Sequence, residues 1–264
     1  MKKIFALAAF AALLISLNGC AKKDQTTLVS TADQELSQDI KAKIKALGFS
    51  SDDAYTADGG YIVEGDIFLT DADLNTVDPI QSLIVGNTEQ YHTTNLVTGL
   101  PRNITVRYSG SNTNLSNAVN AAIARYNAQG LQITFSRVTS GGNIVVTTVN
   151  SASYIASSGF PSAGNPYNSV KYNLQYTNIG ANTMASVMAH EIGHCIGFRH
   201  TDYMDRSYSC GGAYTNEGSA GVGAILIPGT PSTADPNSWM LACIGNGVDR
   251  PFNANDIVAL NYIY

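Results

Sequence analysis

Residues 190–200 read His-Glu-Ile-Gly-His-Cys-Ile-Gly-Phe-Arg-His, which fits the pattern H-E-x-x-H-x-x-G-x-x-H. On a helix, His190 and His194 lie four residues apart, so their Cβ atoms sit about 5–6 Å apart on one face. Two imidazoles at this spacing can reach a single Zn²⁺ at about 2.0–2.1 Å. We therefore expect residues 182–195 to form a helix that begins with an Asn or Thr cap and carries a metal site.

The second half of this run supplies a third ligand. Gly197 lies just past the predicted helix, where a left-handed residue can reverse the chain. The reversal would bring His200 back to the metal. Three protein ligands leave one position open for water, as is typical of catalytic zinc sites. Glu191 lies at the edge of the ligand face and is placed to act as the general base.

The extended motif is far more specific than its first half. At ordinary residue frequencies it should arise by chance in fewer than about one in 10⁴ chains of this length. The chain has four histidines and three of them are these ligands. The fourth, His92, lies in a polar stretch and is interpreted as a solvated residue. Two alternatives stay open, namely surface histidines without a metal and a zinc site that has lost catalysis. Glu191 argues against the second.

The motif resembles that of the metzincin metallopeptidases, and in particular the bacterial HEIGH metallopeptidases. That resemblance extends from about Gly59 to Tyr264 and includes residues 63–67, 197–202 and 255–257. It implies an α+β fold with a metzincin-like catalytic domain. In that domain a twisted mixed β-sheet lies over the zinc-binding helix, and a smaller C-terminal subdomain follows. The implied activity is that of a zinc-dependent endopeptidase with one catalytic Zn²⁺ and protein or peptide substrates.

The same resemblance implies a methionine turn below the metal. Ser238-Trp239-Met240-Leu241 matches such a turn, with Met240 as its methionine. The alternative is that Met240 is an ordinary core residue. The chain also resembles astacins but lacks their glutamate after the third histidine and their metal-contacting tyrosine, since Thr201 and Ala242 stand there. We therefore expect no tyrosine ligand. Tyr203 and Tyr208 are interpreted as structural, and the alternative is that one of them supplies a hydroxyl to the transition state.

The segment Val63-Glu-Gly-Asp-Ile67 resembles the prosegment motif of astacins. In that family the aspartate reaches the zinc and displaces the catalytic water, which would make Asp66 a latency switch. The alternative is that Gly65 and Asp66 only form a hairpin turn between two short strands. If the switch operates, Asp66→Ala should release activity in the full-length chain, whereas Glu64→Ala should not.

The organisation of the rest of the chain follows from periodicity and turn residues. Residues 21–95 are predicted to form a tether and an inhibitory prosegment, and residues 96–264 the catalytic domain. Helices are expected at 31–48, 115–129, 182–195 and 253–264, and strands at 104–108, 131–138, 143–149 and 167–172. A bound peptide is expected to pair with an edge strand near 167–172.

Residues 1–20 have the features of a bacterial signal peptide with a lipobox. Two lysines precede an apolar run from Ile4 to Leu17, which is shorter than a membrane span. Cys20 follows Leu-Asn-Gly and is the predicted lipidation site. The protein would then be an exported lipoprotein of the cell envelope, at the outer membrane or cell surface, or released after processing. The alternative is a simple secretory signal cut near Gly19 or Ala21.

If Cys20 is lipidated, three cysteines remain, which is an odd number. Cys195 follows a metal ligand on the predicted helix and is expected to be a buried free thiol. Cys210 and Cys243 are then predicted to form a disulfide. A disulfide between Cys195 and one of the other two stays open.

Composition limits the classes of partner. The formal net charge is -5 and charged residues make up 13% of the chain, without a basic stripe, so nucleic acid is not an expected partner. A monomer is expected, the membrane is contacted only through the lipid, and calcium is left undetermined. Two other functions stay open: a catalytically silent zinc-binding lipoprotein acting as an adhesin or binding module, and a glycan-binding lipoprotein with a vestigial motif.

Overall fold

The computed structural model describes residues 36–75, 90–150, 154–218, 223–231 and 234–264. The predicted signal peptide, with Cys20, lies outside the described residues. Residues 32–264 belong to one compact unit. None of the helices within the described ranges is long and apolar enough to cross a membrane.

Along the described residues, groups of consecutive strands are separated by helices. The helices are α1 Gln38–Ala46, α2 Thr113–Asn127, α3 Ala181–Ile196, α4 Ser207–Cys210 and α5 Ala254–Ile263. The strands are β1 Tyr55–Ala57, β2 Gly60–Val63, β3 Ile67–Leu69, β4 Tyr91–His92, β5 Arg102–Tyr108, β6 Ile133–Val138, β7 Ile144–Val149, β8 Ala156–Ser157, β9 Ser169–Asn173 and β10 Ile225–Leu226. Each helix and strand predicted from periodicity has its counterpart, with ends shifted by a few residues.

The central layer is a mixed sheet with strand order β6-β5-β7-β9-β8. Its first three pairings are parallel and the last is antiparallel. Alternate residues of β5 are buried, and they face the apolar stripe of α2, including Leu115, Val119 and Tyr126. Helix α3 packs against α2 in the same core. The predicted α+β architecture with a mixed sheet over the histidine-bearing helix is confirmed.

The edge of this sheet differs from the expectation. Residues 167–172 were expected near the edge, but β9 is covered on its outer side by β8. The outermost strand on this side is therefore Ala156–Ser157, so the expectation that 167–172 is an edge strand is wrong, while the pairing of a peptide with the edge stays a prediction. A strand of two residues carries no periodicity, which is why the sequence pattern does not show it.

The N-terminal described part forms a small layer of its own. Helix α1 begins after Ser37, whose hydroxyl accepts a hydrogen bond from the Ile40 amide at 3.3 Å. It is shorter than the predicted helix, and residues 31–35 lie outside the described range. Ile44 packs with Val63 and other apolar residues of the antiparallel β1-β2-β3 sheet. This small core holds the β2–β3 turn in place.

Helix α3 is almost completely buried and ends where predicted. Gly180 occupies its N-cap without a side-chain hydrogen bond, so the expected Asn or Thr cap is wrong. Gly197 ends it in a left-handed conformation, with φ 112° and ψ 7°. A Cβ at Gly197 would lie 2.7 Å from the Asn95 carbonyl oxygen, so both the conformation and the space require glycine.

Candidate metal centre and active site

Three imidazoles converge at the C-terminal end of α3. The Nε2 atoms of His190 and His194 lie 3.0 Å apart, and those of His194 and His200 lie 3.2 Å apart. All three residues are buried. Tetrahedral nitrogen ligands at about 2.0–2.1 Å from a zinc ion would be separated by about 3.3 Å. The spacing of this triad therefore suits one metal ion.

Each imidazole is oriented by an acceptor at its other ring nitrogen. The Nδ1 atoms of His190, His194 and His200 donate to Trp239 O at 2.9 Å, Phe198 O at 2.8 Å and Glu217 Oε1 at 2.8 Å. These bonds place a proton on Nδ1 and leave the Nε2 lone pair directed to the centre of the cluster. Burial, and then His190, hold the pKa of His194 well below its usual range, which favours the neutral, ligating form.

A fourth donor, Asp66, comes from the β2–β3 turn. Its Oδ2 lies 3.3 Å from His190 Nε2 and 3.2 Å from His200 Nε2, and its Oδ1 lies 3.9 Å from His194 Nε2. The buried Oδ1 has no hydrogen-bond partner. Burial alone would raise the pKa of Asp66, but His200 and His190 hold it well below its usual range. An ionised carboxylate with an unpartnered oxygen between three imidazoles fits a bound cation.

Glu191 is buried beside the triad and is held by Ser158. The Ser158 hydroxyl lies 2.6 Å from Glu191 Oε2 and 3.1 Å from its backbone oxygen. Burial, and then the charge of Asp66, raise the pKa of Glu191. Sequence reasoning missed Ser158, because a serine far along the chain carries no signal of its contact.

The 238–241 turn lies directly beneath α3. A Cβ at Gly193 would lie 2.6 Å from Met240 Sδ and 3.1 Å from Trp239 Nε1. The Met240 carbonyl accepts a hydrogen bond from the Thr201 amide at 2.8 Å. This bond connects the turn to the residue that follows His200. Gly193 is therefore the point at which helix and turn approach most closely, a role that the sequence motif alone does not explain.

A family model described as "dual-action HEIGH metallo-peptidase" matches residues 61–264. The chain belongs to this family. The resemblance predicted from the 190–200 motif is confirmed, and the site is a metallopeptidase metal centre with a histidine triad. Because the match begins at residue 61, the matched region of this HEIGH metallo-peptidase includes Asp66.

Two solved structures of myroilysin are similar to this HEIGH metallo-peptidase. One is 16% identical with a TM-score of 0.41, covering 62% of this chain and 83% of that chain. The other is 21% identical with a TM-score of 0.34, covering 42% of this chain and 54% of that chain. This chain thus spans about half the length of the latter. No curated protein matches the sequence.

In this HEIGH metallo-peptidase the turn that carries Asp66 is also a hairpin. Val63 pairs with Ile67, so the connection has three residues rather than the two expected. The backbone of this hairpin also pairs with Ser158, the residue that follows β8. Ser158 N donates to Asp66 O at 3.0 Å, and Phe68 N donates to Ser158 O at 2.7 Å. The hairpin and the metal-facing carboxylate are therefore features of one segment, not competing interpretations.

Glu64 is fixed as firmly as Asp66. Its Oε2 accepts from Arg199 Nη2 at 2.7 Å, and both side chains are buried. Arg199 Nη2 also lies 3.7 Å from Glu217 Oε2, and Glu217 Oε1 lies 3.2 Å from Arg206 Nε. Arg206 in turn pairs with Asp53 at 2.6 Å. These contacts argue against the expectation that Glu64→Ala would not release activity, because Glu64 helps to hold the turn that carries Asp66.

The other residues singled out from sequence have contacts of their own. Tyr203 packs edge-on against Tyr91 with ring centroids 4.4 Å apart, and the Tyr208 hydroxyl donates to Ala234 O at 3.1 Å. His92 is half-buried and its Nδ1 donates to Thr93 O at 2.7 Å, so it is not simply solvated.

The cysteines are arranged as the sequence suggested. Cys210 and Cys243 form a disulfide, and Cys195 is a buried free thiol. The disulfide ties α4 to the segment after the methionine turn. Burial, and then Glu191, raise the pKa of Cys195, which disfavours its reactive thiolate form.

Proposed function

We propose that this HEIGH metallo-peptidase is a zinc-dependent endopeptidase of metzincin type that is made as a zymogen. The observation that carries the proposal is the placement of Glu191 beside three converging imidazoles, within a chain of this family. His190, His194 and His200 would hold one catalytic Zn²⁺, and Met240 would support the site from below.

Each side chain has a distinct task in the proposed reaction. When bound, Zn²⁺ would polarise the scissile carbonyl and lower the pKa of a water molecule. Glu191 accepts a proton from the attacking water and passes it to the leaving amine. Burial raises the pKa of Glu191, which favours the protonated form that donates to the leaving amine. Ser158 keeps the carboxylate in one orientation.

Latency is supported by the contacts of Asp66. Its carboxylate lies where the attacking water would have to be, within 3.3 Å of His190 Nε2. The backbone of the same turn is bonded to Ser158 at the sheet edge, which a substrate would need for strand pairing. Removal of the chain up to a point between about residues 70 and 102 would free both positions. That cleavage, and the 95/96 boundary, belong to the proposal.

The location of the enzyme also belongs to the proposal. Residues 1–20 would direct export, and lipid on Cys20 would anchor the protein to the cell envelope, in keeping with the Cys210–Cys243 disulfide. The disulfide is the kind of bond that persists outside the cytosol. A catalytically silent binding module is not favoured, because Glu191 and its supporting serine are both in place.

Casein cleavage by the zinc-loaded protein tests the proposal, before and after limited proteolysis, with and without a chelator. We expect cleavage only after proteolysis, and loss of it on chelation. Glu191→Gln should keep the metal but lose about 10²–10⁴-fold in rate, the usual contribution of a general base. His194→Ala should lose metal and activity together. Equal activity in Glu191→Gln and the parent would refute the assigned mechanism.

A further inference from the structure

A cavity of about 230 Å³ adjoins the metal centre. Its catalytic wall contains His190 and Glu191, and Gly65 and Asp66 of the β2–β3 turn border it. The remaining walls come from α3, from residues 154–156 at the sheet edge, from the methionine turn and the segment after it, and from Arg206 and Arg250. The cavity therefore continues from the reacting groups into the C-terminal subdomain, beyond the segment proposed to cause latency.

Arg250 is the unusual residue of this lining. It is half-buried, and it is held by its backbone, because its amide donates to Ser186 Oγ at 2.8 Å. One guanidinium nitrogen, Nη1, donates to Cys243 O at 2.7 Å. Within the described ranges, no carboxylate oxygen lies within the 4.0 Å of an ion pair with it.

The other arginines near the active site are matched by carboxylates. Arg199 pairs with Glu64 at 2.7 Å, and Arg206 pairs with Asp53 at 2.6 Å. Burial alone would lower the pKa of Arg206, but nearby carboxylates, Glu217 first, raise it. Arg250 shows the opposite balance, since burial lowers its pKa and is only partly offset.

The carboxylates that partly offset the burial of Arg250 are already engaged elsewhere. Asp202 accepts from the Ala242 amide at 2.9 Å and from the Ser209 hydroxyl. Asp256 accepts from Gln90 Nε2 at 2.6 Å and caps α5. The charge of Arg250 therefore remains available to a ligand in the cavity, and a guanidinium presents donors in the geometry that a carboxylate matches.

We propose that this cavity binds the residue whose amine leaves in the reaction, and that Arg250 selects a carboxylate on that residue. Glu191 returns a proton to the leaving amine, so the cavity beside Glu191 lies on the leaving-group side of the scissile bond. The inference rests on the proposed peptidase function and gives its substrate class. The carboxylate has two possible sources, an acidic side chain or the C-terminus of the substrate.

Matched peptides distinguish these sources. They differ only in the residue after the scissile bond, which is Glu, Gln or Lys, and mass spectrometry locates the cut. The enzyme is the full-length, zinc-loaded chain activated by limited proteolysis. We expect kcat/KM to be about tenfold or more higher for Glu than for Gln, and lowest for Lys, as a charge-assisted hydrogen bond predicts. A second pair ends one residue after the cut, as free acid or amide, and the free acid is favoured only if the C-terminus is bound.

Variants of Arg250 test the residue itself. Arg250→Glu should reverse the order so that Lys is preferred, whereas Arg250→Lys should keep a weaker preference for the carboxylate. Arg137→Gln is the matched control, since Arg137 lies on β6 outside the cavity and should leave the order unchanged. If the Arg250 variants do not fold, the order measured with the parent enzyme decides.

The outcomes separate this inference from the function on which it rests. If casein and all peptides remain uncut after activation, the peptidase proposal fails and the inference fails with it. If casein is cut but no carboxylate is preferred in either peptide set, the function stands and the inference is wrong. A preference that survives unchanged in Arg250→Glu would also overturn it.

Discussion

Glu64 and Arg199 form an ion pair of 2.7 Å with side chains 1% and 0% exposed. Arg199 immediately precedes the metal ligand His200, while Glu64 lies two residues before Asp66. The segment proposed to cause latency is therefore held at two points. Glu64 pairs with Arg199, and Asp66 contacts the imidazoles of His190 and His200. The Glu64–Arg199 pair therefore helps to hold the turn that carries Asp66.

The first prediction concerns this ion pair. Glu64→Ala should weaken latency in the full-length chain, because it leaves buried Arg199 with the more distant Glu217, at 3.7 Å, as its charged partner, and breaking a buried ion pair costs up to about 3–5 kcal/mol. We expect faster proteolytic removal of the N-terminal segment and measurable casein cleavage without added protease. Asp52→Ala is the control, because Asp52 is an exposed acid of the same segment. A Glu64→Ala chain as latent as the control would show that Asp66 alone holds the segment.

The second prediction concerns Asp66. Asp66→Ala should give premature activity or self-digestion during expression, because the position beside the imidazoles becomes open to water. The double variant Asp66→Ala, Glu191→Gln should accumulate intact, since it lacks the general base. Intact mass measurements over time distinguish the two chains. Asp66→Ala protein that stays intact and inactive, yet retains its metal, would contradict the latency proposal.

The third prediction concerns Glu217, the carboxylate that bonds His200 Nδ1 at 2.8 Å. Glu217→Ala should weaken metal binding by about 10–100-fold, as is usual when the partner of a ligating histidine is removed. Glu217→Gln should lose less, because its amide oxygen can still accept from Nδ1. The rate at which a chelator removes zinc from each variant measures the effect. If zinc were removed at the same rate from the parent, Glu217→Ala and Glu217→Gln, then Glu217 would not support metal binding and would serve only to neutralise the nearby arginines.

Much of the fold follows from sequence pattern. The α2 stripe of Leu115, Val119 and Tyr126 and the alternation along β5 repeat at helix and strand periods, and both are buried as those periods predict. The ligand set follows from spacing on one helix, because His190 and His194 are close in sequence as well as in space.

The rest of the site depends on contacts between distant parts of the chain. Ser158 reaches Glu191 across 33 residues, and Glu217 reaches His200 across 17 residues through an irregular segment. Neither contact produces a periodic pattern or a fixed spacing in the sequence, so neither could be predicted from it. Arg199 lies within the 190–200 motif, but its partner Glu64 lies 135 residues away, so the motif does not predict this pair.

The fourth prediction concerns the close approach of α3 to the methionine turn. Gly193→Ala should destabilise the fold by about 1–3 kcal/mol, because its methyl group would overlap Met240 and overpack a buried contact. Metal affinity should fall as well, since Trp239 next to that methionine orients His190. Ala189→Gly, on the same helix, is a control for helix propensity without overpacking. Unchanged stability in Gly193→Ala would show that the turn can shift without loss.

The last prediction concerns the Cys210–Cys243 disulfide, which closes a loop with a sequence separation of 33 residues. In the chain-entropy model, a loop of this length stabilises the folded state by about 3–4 kcal/mol. The double variant Cys210→Ala, Cys243→Ala should lose about this free energy of unfolding in a denaturant titration, without a free thiol being left behind. Because Cys243 also lines the cavity beside Arg250, the variant should discriminate less between the matched peptides. Cys195 should react with an alkylating reagent only in the unfolded protein, since it is buried. A loss far below the expected value would mean that hydrogen bonds hold this loop, such as the one that the Cys243 amide donates to Ser209 Oγ at 3.0 Å.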